Sequence, residues 1–116
     1  MRIEARGIHL DLTEALTAHV EHRLGRSLDH FDGRVDHVSV RLTSSHGPKG
    51  VPRMQCHVEV DLAGLGTVIV EHSQADIYTA VDKAAGRLKR AVRRQINRRR
   101  DTRRERDRTP LRVAVA

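Results

Sequence analysis

Apolar residues recur along this chain first at every second position, then at every third or fourth, then at every second again, and finally at every third or fourth. Met1 to Arg6 alternates Ile3 and Ala5 with Arg2, Glu4 and Arg6, the period of a half-buried strand that Gly7 ends. Leu12, Leu16, Val20, Leu24 and Leu28 then form a helical stripe, predicting a helix over about residues 12–29. Asp11 or Thr13 can accept backbone N–H bonds at its start, and Glu14 suits its positive end. From Arg34 the two-residue period returns: Val38, Val40 and Leu42 face one way, and His37, Ser39, Arg41 and Thr43 the other. The turn-forming residues between Thr43 and Pro52 predict a loop. A third strand alternates Met54, Cys56, Val58, Val60 and Leu62 with Arg53, Gln55, His57, Glu59 and Asp61. Ala63 to Gly66 reads as a hairpin connection and Thr67 to His72 as a fourth strand. Ser73 is placed to cap a second helix whose stripe of Ile77, Val81, Ala84, Leu88, Val92 and Ile96 carries it to about Arg100.

The predicted fold is therefore α+β in the order β-α-β-β-β-α. Each strand has one apolar face, so a four-stranded sheet must take both helices on the same side and leave its other side polar and wet. Residues 1–100 form one domain in this reading, and 101–116, an arginine-rich string with no apolar face, form a flexible tail. Phe31 and Tyr78 are the only large aromatic residues, so the core must be built from Val, Leu, Ile and Ala.

Charge changes the picture. Lys and Arg number 22 against 15 Asp and Glu, a formal +7. Residues 1–82 are net −4, whereas residues 83–116 are net +11. A mildly acidic body carries a segment that would attract a polyanion by counterion release. On the second helix Lys83, Arg87, Arg90 and Arg94 fall at i, i+4, i+7 and i+11, a row well around the cylinder from the apolar stripe, with Lys89 and Arg93 flanking the stripe on its other side. No acidic residue relieves this row between Lys83 and Asp101, so a nucleic acid explains it better than simple solvation. Without a helix-turn-helix, a zinc finger or an aromatic stacking platform, the reading favours RNA recognised through the shape of its backbone.

Other chemistries find little support. His19 and His22 are i, i+3 on a helix, adjacent Cys56 and His57 point to opposite faces of a strand, and no four convergent ligands emerge, so no metal is expected. Asp76 and Asp82 lie about 240° apart around a helix and cannot act as a carboxylate pair. Gly47-Pro48-Lys49-Gly50 lacks the ending of a phosphate loop and opens no helix. Cys56 faces inward as a small hydrophobe. No enzyme, cofactor or small-molecule substrate is expected. A single cysteine, no secretory leader and no membrane-length apolar run point to the reducing cytoplasm. Two rivals remain open: a nucleoid-type protein that binds any RNA or DNA, and an interaction module using the polar sheet face.

Two segments carry a resemblance. Ile8-His9-Leu10-Asp11-Leu12-Thr13-Glu14-Ala15-Leu16 and Ala75-Asp76-Ile77-Tyr78-Thr79-Ala80-Val81-Asp82-Lys83-Ala84 are similar to the helix-start signatures of the ribosome hibernation-promoting and ribosome-associated inhibitor (sigma-54 modulation) family, with a match through Phe31-Asp32 and Val38 to Leu42 that covers about residues 1–97. The resemblance implies a translation inhibitor that lodges in the tRNA and mRNA channel of the small ribosomal subunit when growth stops, a free monomer whose basic helix residues touch rRNA. It assigns RNA contact to Lys83, Arg87, Arg90 and Arg94 with Lys89 and Arg93, assisted by Arg23 and Arg26. Arg2, Arg6, Lys49 and Arg53 are weaker candidates, and Asp76, Tyr78 and Asp82 structural ones. Long members append a ribosome-pairing domain; the expectation here is a short form with an arginine-rich tail in its place.

Overall fold

The computed structural model describes residues 2–115, except for the side chains of Pro48 and of residues 102–115. Its elements are β1 (Arg2–Ile8), α1 (Glu14–Leu28), a 3-10 segment (Asp29–Arg34), β2 (Val35–His46), a 3-10 turn (Pro48–Gly50), β3 (Pro52–Leu62), β4 (Gly66–Gln74) and α2 (Ile77–Val115). The order β-α-β-β-β-α and the α+β class are as the sequence predicts. The sheet runs β1-β2-β3-β4 in space. Strands β2, β3 and β4 form an antiparallel meander, while β1 pairs parallel to β2, with α1 as the crossover.

Both helices deliver their stripes to one core. Leu16, Val20, Leu24 and Leu28 of α1 join Val81, Ala84, Leu88, Val92 and Ile96 of α2 against Val38, Val40 and Leu42 of β2 and Cys56, Val58, Val60 and Leu62 of β3. All these side chains are buried, and no polar or charged residue among those described is. Phe31, in the 3-10 segment, closes the end of this core that α1 leaves open.

Element ends differ from the sequence reading where tertiary pairing or capping outweighs local composition. Thr43 to His46 belong to β2, not to a loop, because Ser44, Ser45 and His46 find ladder partners in Met54, Arg53 and Pro52. β1 continues past Gly7 to Ile8, and a Cβ on Gly7 would collide with the carbonyl oxygen of Leu10, so the tight exit of the strand needs glycine there. The N-cap of α1 is Thr13, whose Oγ1 accepts from the amide of Leu16 at 3.2 Å. Ser73 is not the cap of α2. It lies in β4, and the Oδ2 of Asp76 takes the amide of Thr79 at 3.0 Å instead. Gly64 and Gly66 turn the chain from β3 into β4 with φ of 68° and 89°. Gln95 of α2 fastens that turn by donating to the carbonyl of Leu65 at 2.9 Å. The expected tail at 101–116 lies, beyond Asp101, outside the residues whose side chains are described.

Candidate nucleic-acid interface

Because α2 commits one side to the core, the helical period fixes where its remaining residues go. Lys83, Arg87, Lys89, Arg90, Arg93 and Arg94 are all exposed, as are Arg98, Arg99 and Arg100 beyond them. Among the described residues none of these cations makes an ion pair. Arg87 has one internal contact, an exposed 3.1 Å hydrogen bond from Nη1 to the backbone carbonyl of Glu71, which steadies its stem and leaves its charge uncompensated. One flank of the helix meets β4, where Arg87, Arg90 and Arg94 line a shallow trough of about 410 Å³ above Ile69 and Glu71. A second depression of about 460 Å³ lies over Gly86, with Lys83, Arg87, Arg90 and Arg23 of α1 around it. Gly86 is exposed and has open space where a side chain would stand, so the α2 backbone itself forms part of that surface.

The structure separates the two helix-one candidates. Arg26 is exposed in the last turn of α1. Arg23 is half-exposed, and its Nε stands 3.0 Å from Oδ1 of Asp82. The contact is an ion pair without an aligned hydrogen bond, since that Nε is buried and its N–H meets no acceptor. The same carboxylate oxygen lies 2.7 Å from Nε2 of His19, and Ser27 donates to the carbonyl of Ala85 at 2.9 Å, so the α1–α2 seam is a polar clasp above the apolar core. Tyr78 meets the ring of His19 edge-on with centroids 5.0 Å apart. Asp76, Tyr78 and Asp82 thus act within the fold: as a cap, a packing surface and a tether.

On the open face of the sheet Arg2 is paired with Glu4 at 3.1 Å, while Arg6 and Arg53 are exposed and make no ion pair among the described residues; Lys49, exposed at the β2–β3 turn, makes none either. Arg41 is a cation absent from the sequence-based set. It is exposed and stands directly beside Arg6 in the parallel pairing of β1 and β2. Its outward position could be read from the alternation of β2, but the neighbour across the ladder could not.

Nothing in the structure assembles a catalytic centre among the described residues. Burial pushes the Cys56 thiol up to about 12, far from the thiolate a nucleophile needs. No group of three or more His, Cys, Asp or Glu residues among those described could hold a metal ion. No described helix is long and apolar enough to cross a membrane.

Residues 3–100 match the family described as sigma 54 modulation protein / S30EA ribosomal protein. The chain belongs to this family. Its match to the S30EA family model ends at Arg100, so the whole core and the described part of the α2 ridge lie inside it. The ribosome hibernation promoting factor of Azotobacter vinelandii is 31% identical over 93 residues, covering 79% of each protein. The ribosome hibernation promotion factor of Deinococcus radiodurans is 31% identical over 87 residues, which are 75% of this chain and 44% of that protein, so the chain spans less than half the length of this relative. Among solved structures, the N-terminal domain of Thermus thermophilus Protein Y shares 30% identity at a TM-score of 0.59, over 80% of this chain and 93% of that one. A ribosomal subunit interface protein from Coxiella burnetii, at 18% identity and a TM-score of 0.68 over 83% of this chain and 99% of that one, supports the same fold.

Proposed function

We propose that this protein binds the small ribosomal subunit through the outer face of α2, occupies the channel that takes tRNA and mRNA, and holds translation idle by occlusion, without turnover, in the cytoplasm. The observation that carries this reading is the row Lys83, Arg87, Arg90 and Arg94, exposed on a helix whose opposite side is anchored in the core and joined in no ion pair among the described residues. Such a row repels itself in the free protein. Phosphates relieve the repulsion, and displaced counterions add to affinity with a strong dependence on salt. The core fixes the helix before binding, so little ordering entropy opposes the contact. Membership in the S30EA family and the names of the hibernation promoting relatives support a ribosomal target over nucleic acid in general.

The test is co-sedimentation with purified small subunits of a variant carrying Arg87→Glu, Arg90→Glu and Arg94→Glu. It is expected to lose binding at near-physiological salt while keeping the circular dichroism spectrum and Tm of the wild type, because all three side chains are exposed. The slope of log affinity against log salt should flatten by about 2 to 3 for three lost phosphate contacts. Undiminished sedimentation of the variant would remove α2 from the mechanism. Displacement of the wild type by total tRNA or plasmid DNA as readily as by free subunits would favour a general nucleic-acid binder instead.

A further inference from the structure

The sheet face that no helix covers is electrically divided along its strands. Toward the β2–β3 turn it carries Arg6, Arg41 and Arg53; toward the other end it carries Glu4, Glu59 and Asp61. The acidic half is internally occupied. Glu4 is shared by Arg2 at 3.1 Å and His37 at 3.4 Å, Asp61 accepts from Thr67 at 2.9 Å, and His57 lies between Glu59 and Glu71. The basic half is not: Arg6 and Arg41 make no ion pair among the described residues. They are direct cross-strand neighbours, an arrangement in which like charges destabilise a sheet. Both line a depression of about 470 Å³ together with Ser39, Glu4, His57 and Glu59.

We infer that Arg6 and Arg41 form a second phosphate-binding contact, which receives the sugar–phosphate backbone of RNA on the side of the domain opposite the α2 ridge. The inference rests on the ribosomal reading above and adds to it a second wall of rRNA. The carboxylates in the same depression, Glu4 and Glu59, are engaged by Arg2, His37 and His57, so the two guanidinium groups are left to a phosphate oxygen, which suits them by charge and by hydrogen-bonding shape. Among the described residues the groove holds one ring, the imidazole of His57, which is engaged by Glu59 and Glu71; Phe31 is in the core and Tyr78 is on α2. A free nucleotide would be gripped chiefly by its phosphate, whereas a polymer already bound along α2 presents phosphates to this second site at high effective concentration.

The experiment compares wild type, Arg6→Gln/Arg41→Gln, Arg6→Lys/Arg41→Lys and Arg90→Gln/Arg94→Gln for binding to purified small subunits over a salt series of about 50 to 200 mM. The glutamine variant of the sheet pair is expected to bind roughly tenfold more weakly at the upper end and to flatten the salt slope by about 1.4 to 1.8, the value for two phosphates. Its Tm should equal or exceed that of the wild type, since the like-charged pair is gone. The lysine variant keeps both charges and should keep the slope; loss of slope there as well would overturn the charge assignment. Unchanged affinity and slope in the glutamine variant, with binding weakened by the α2 substitutions, would overturn the sheet contact and leave the α2 reading standing. Failure of the wild type to bind subunits would remove both. Millimolar adenosine monophosphate reproducing the glutamine variant's loss would reassign the pair to free nucleotides and overturn the RNA assignment.

Discussion

Asp82 collects two side chains from α1, with its Oδ1 near Nε2 of His19 and Nε of Arg23. It offsets the charge of a cation that already stands at the surface around Gly86. Asp82→Asn should therefore act in two directions: a loss of about 1 kcal/mol in stability, appropriate to partly exposed ion contacts, and a gain in affinity for small subunits as Arg23 is released. Thermal melts and sedimentation read the two separately, and an unchanged Tm with unchanged affinity would show that the carboxylate restrains nothing. Cys56 makes a different kind of statement. Its thiol, buried between the sheet and the helices, titrates near 12 rather than at its ordinary 9.0. Between these values the folded chain keeps a proton that the unfolded chain has lost, so stability attributable to this residue is constant below pH 9.0 and falls as pH rises toward about 12. Alkylation by iodoacetamide at about pH 8 should require prior unfolding. At this scale the sequence showed which way side chains face and little about what they touch. Cys56 inward and Arg41 outward follow from alternation. The Arg23–Asp82 contact joins residues far apart in the chain, and the Arg6–Arg41 neighbourhood depends on a strand register that no local pattern records.

Helix α2 is both the largest covering of the sheet and the most highly charged element, and Gly86 interrupts its outer face. A helical glycine costs up to about 1 kcal/mol relative to alanine, and a Cβ at this position would meet nothing within 4 Å. Gly86→Ala is expected to stabilise the free protein by about 0.5 to 1 kcal/mol, raising Tm by a few degrees, and to weaken subunit binding if RNA backbone rests on the exposed helix at that point. A melt combined with the sedimentation assay checks both halves; a stability gain with full affinity would place the RNA elsewhere along the ridge. The strands and helices themselves were readable because each presents one apolar face, so Val58 and Val60, or Leu88 and Val92, declare their period without ambiguity. What composition misjudged were their ends. Ser44, Ser45 and His46 have the residue types of a loop, yet stay in β2 because β3 is opposite them, and Ser73 loses the capping role to Asp76 because β4 continues through it.

In the whole molecule the two unneutralised basic surfaces lie on opposite sides: the α2 ridge above the helical layer, and the Arg6–Arg41 pair on the bare sheet. The formal +7 hides this arrangement, since the described ion pairs are spent on the α1–α2 seam and on the uncovered sheet face. A strongly divided sequence, acidic first and basic later, folds into a body whose basic portion is laid across the outside of its own core. The basic row of the helix was legible as a periodic pattern; the sheet pair was not, because it is built from residues on separate strands.

The same turns of α2 that bury Leu88 and Val92 carry Arg87, Arg90 and Arg94 on their far side. Each residue added to or removed from a helix rotates everything beyond it by about 100°. A single-residue insertion or deletion between Val81 and Leu88 would thus swing arginines toward the interior or leucine toward water, while leaving the residue inventory almost untouched. The charge of the ridge can be raised or lowered by exchanging one side chain for another, but the length of this stretch is pinned by the hydrocarbon beneath it.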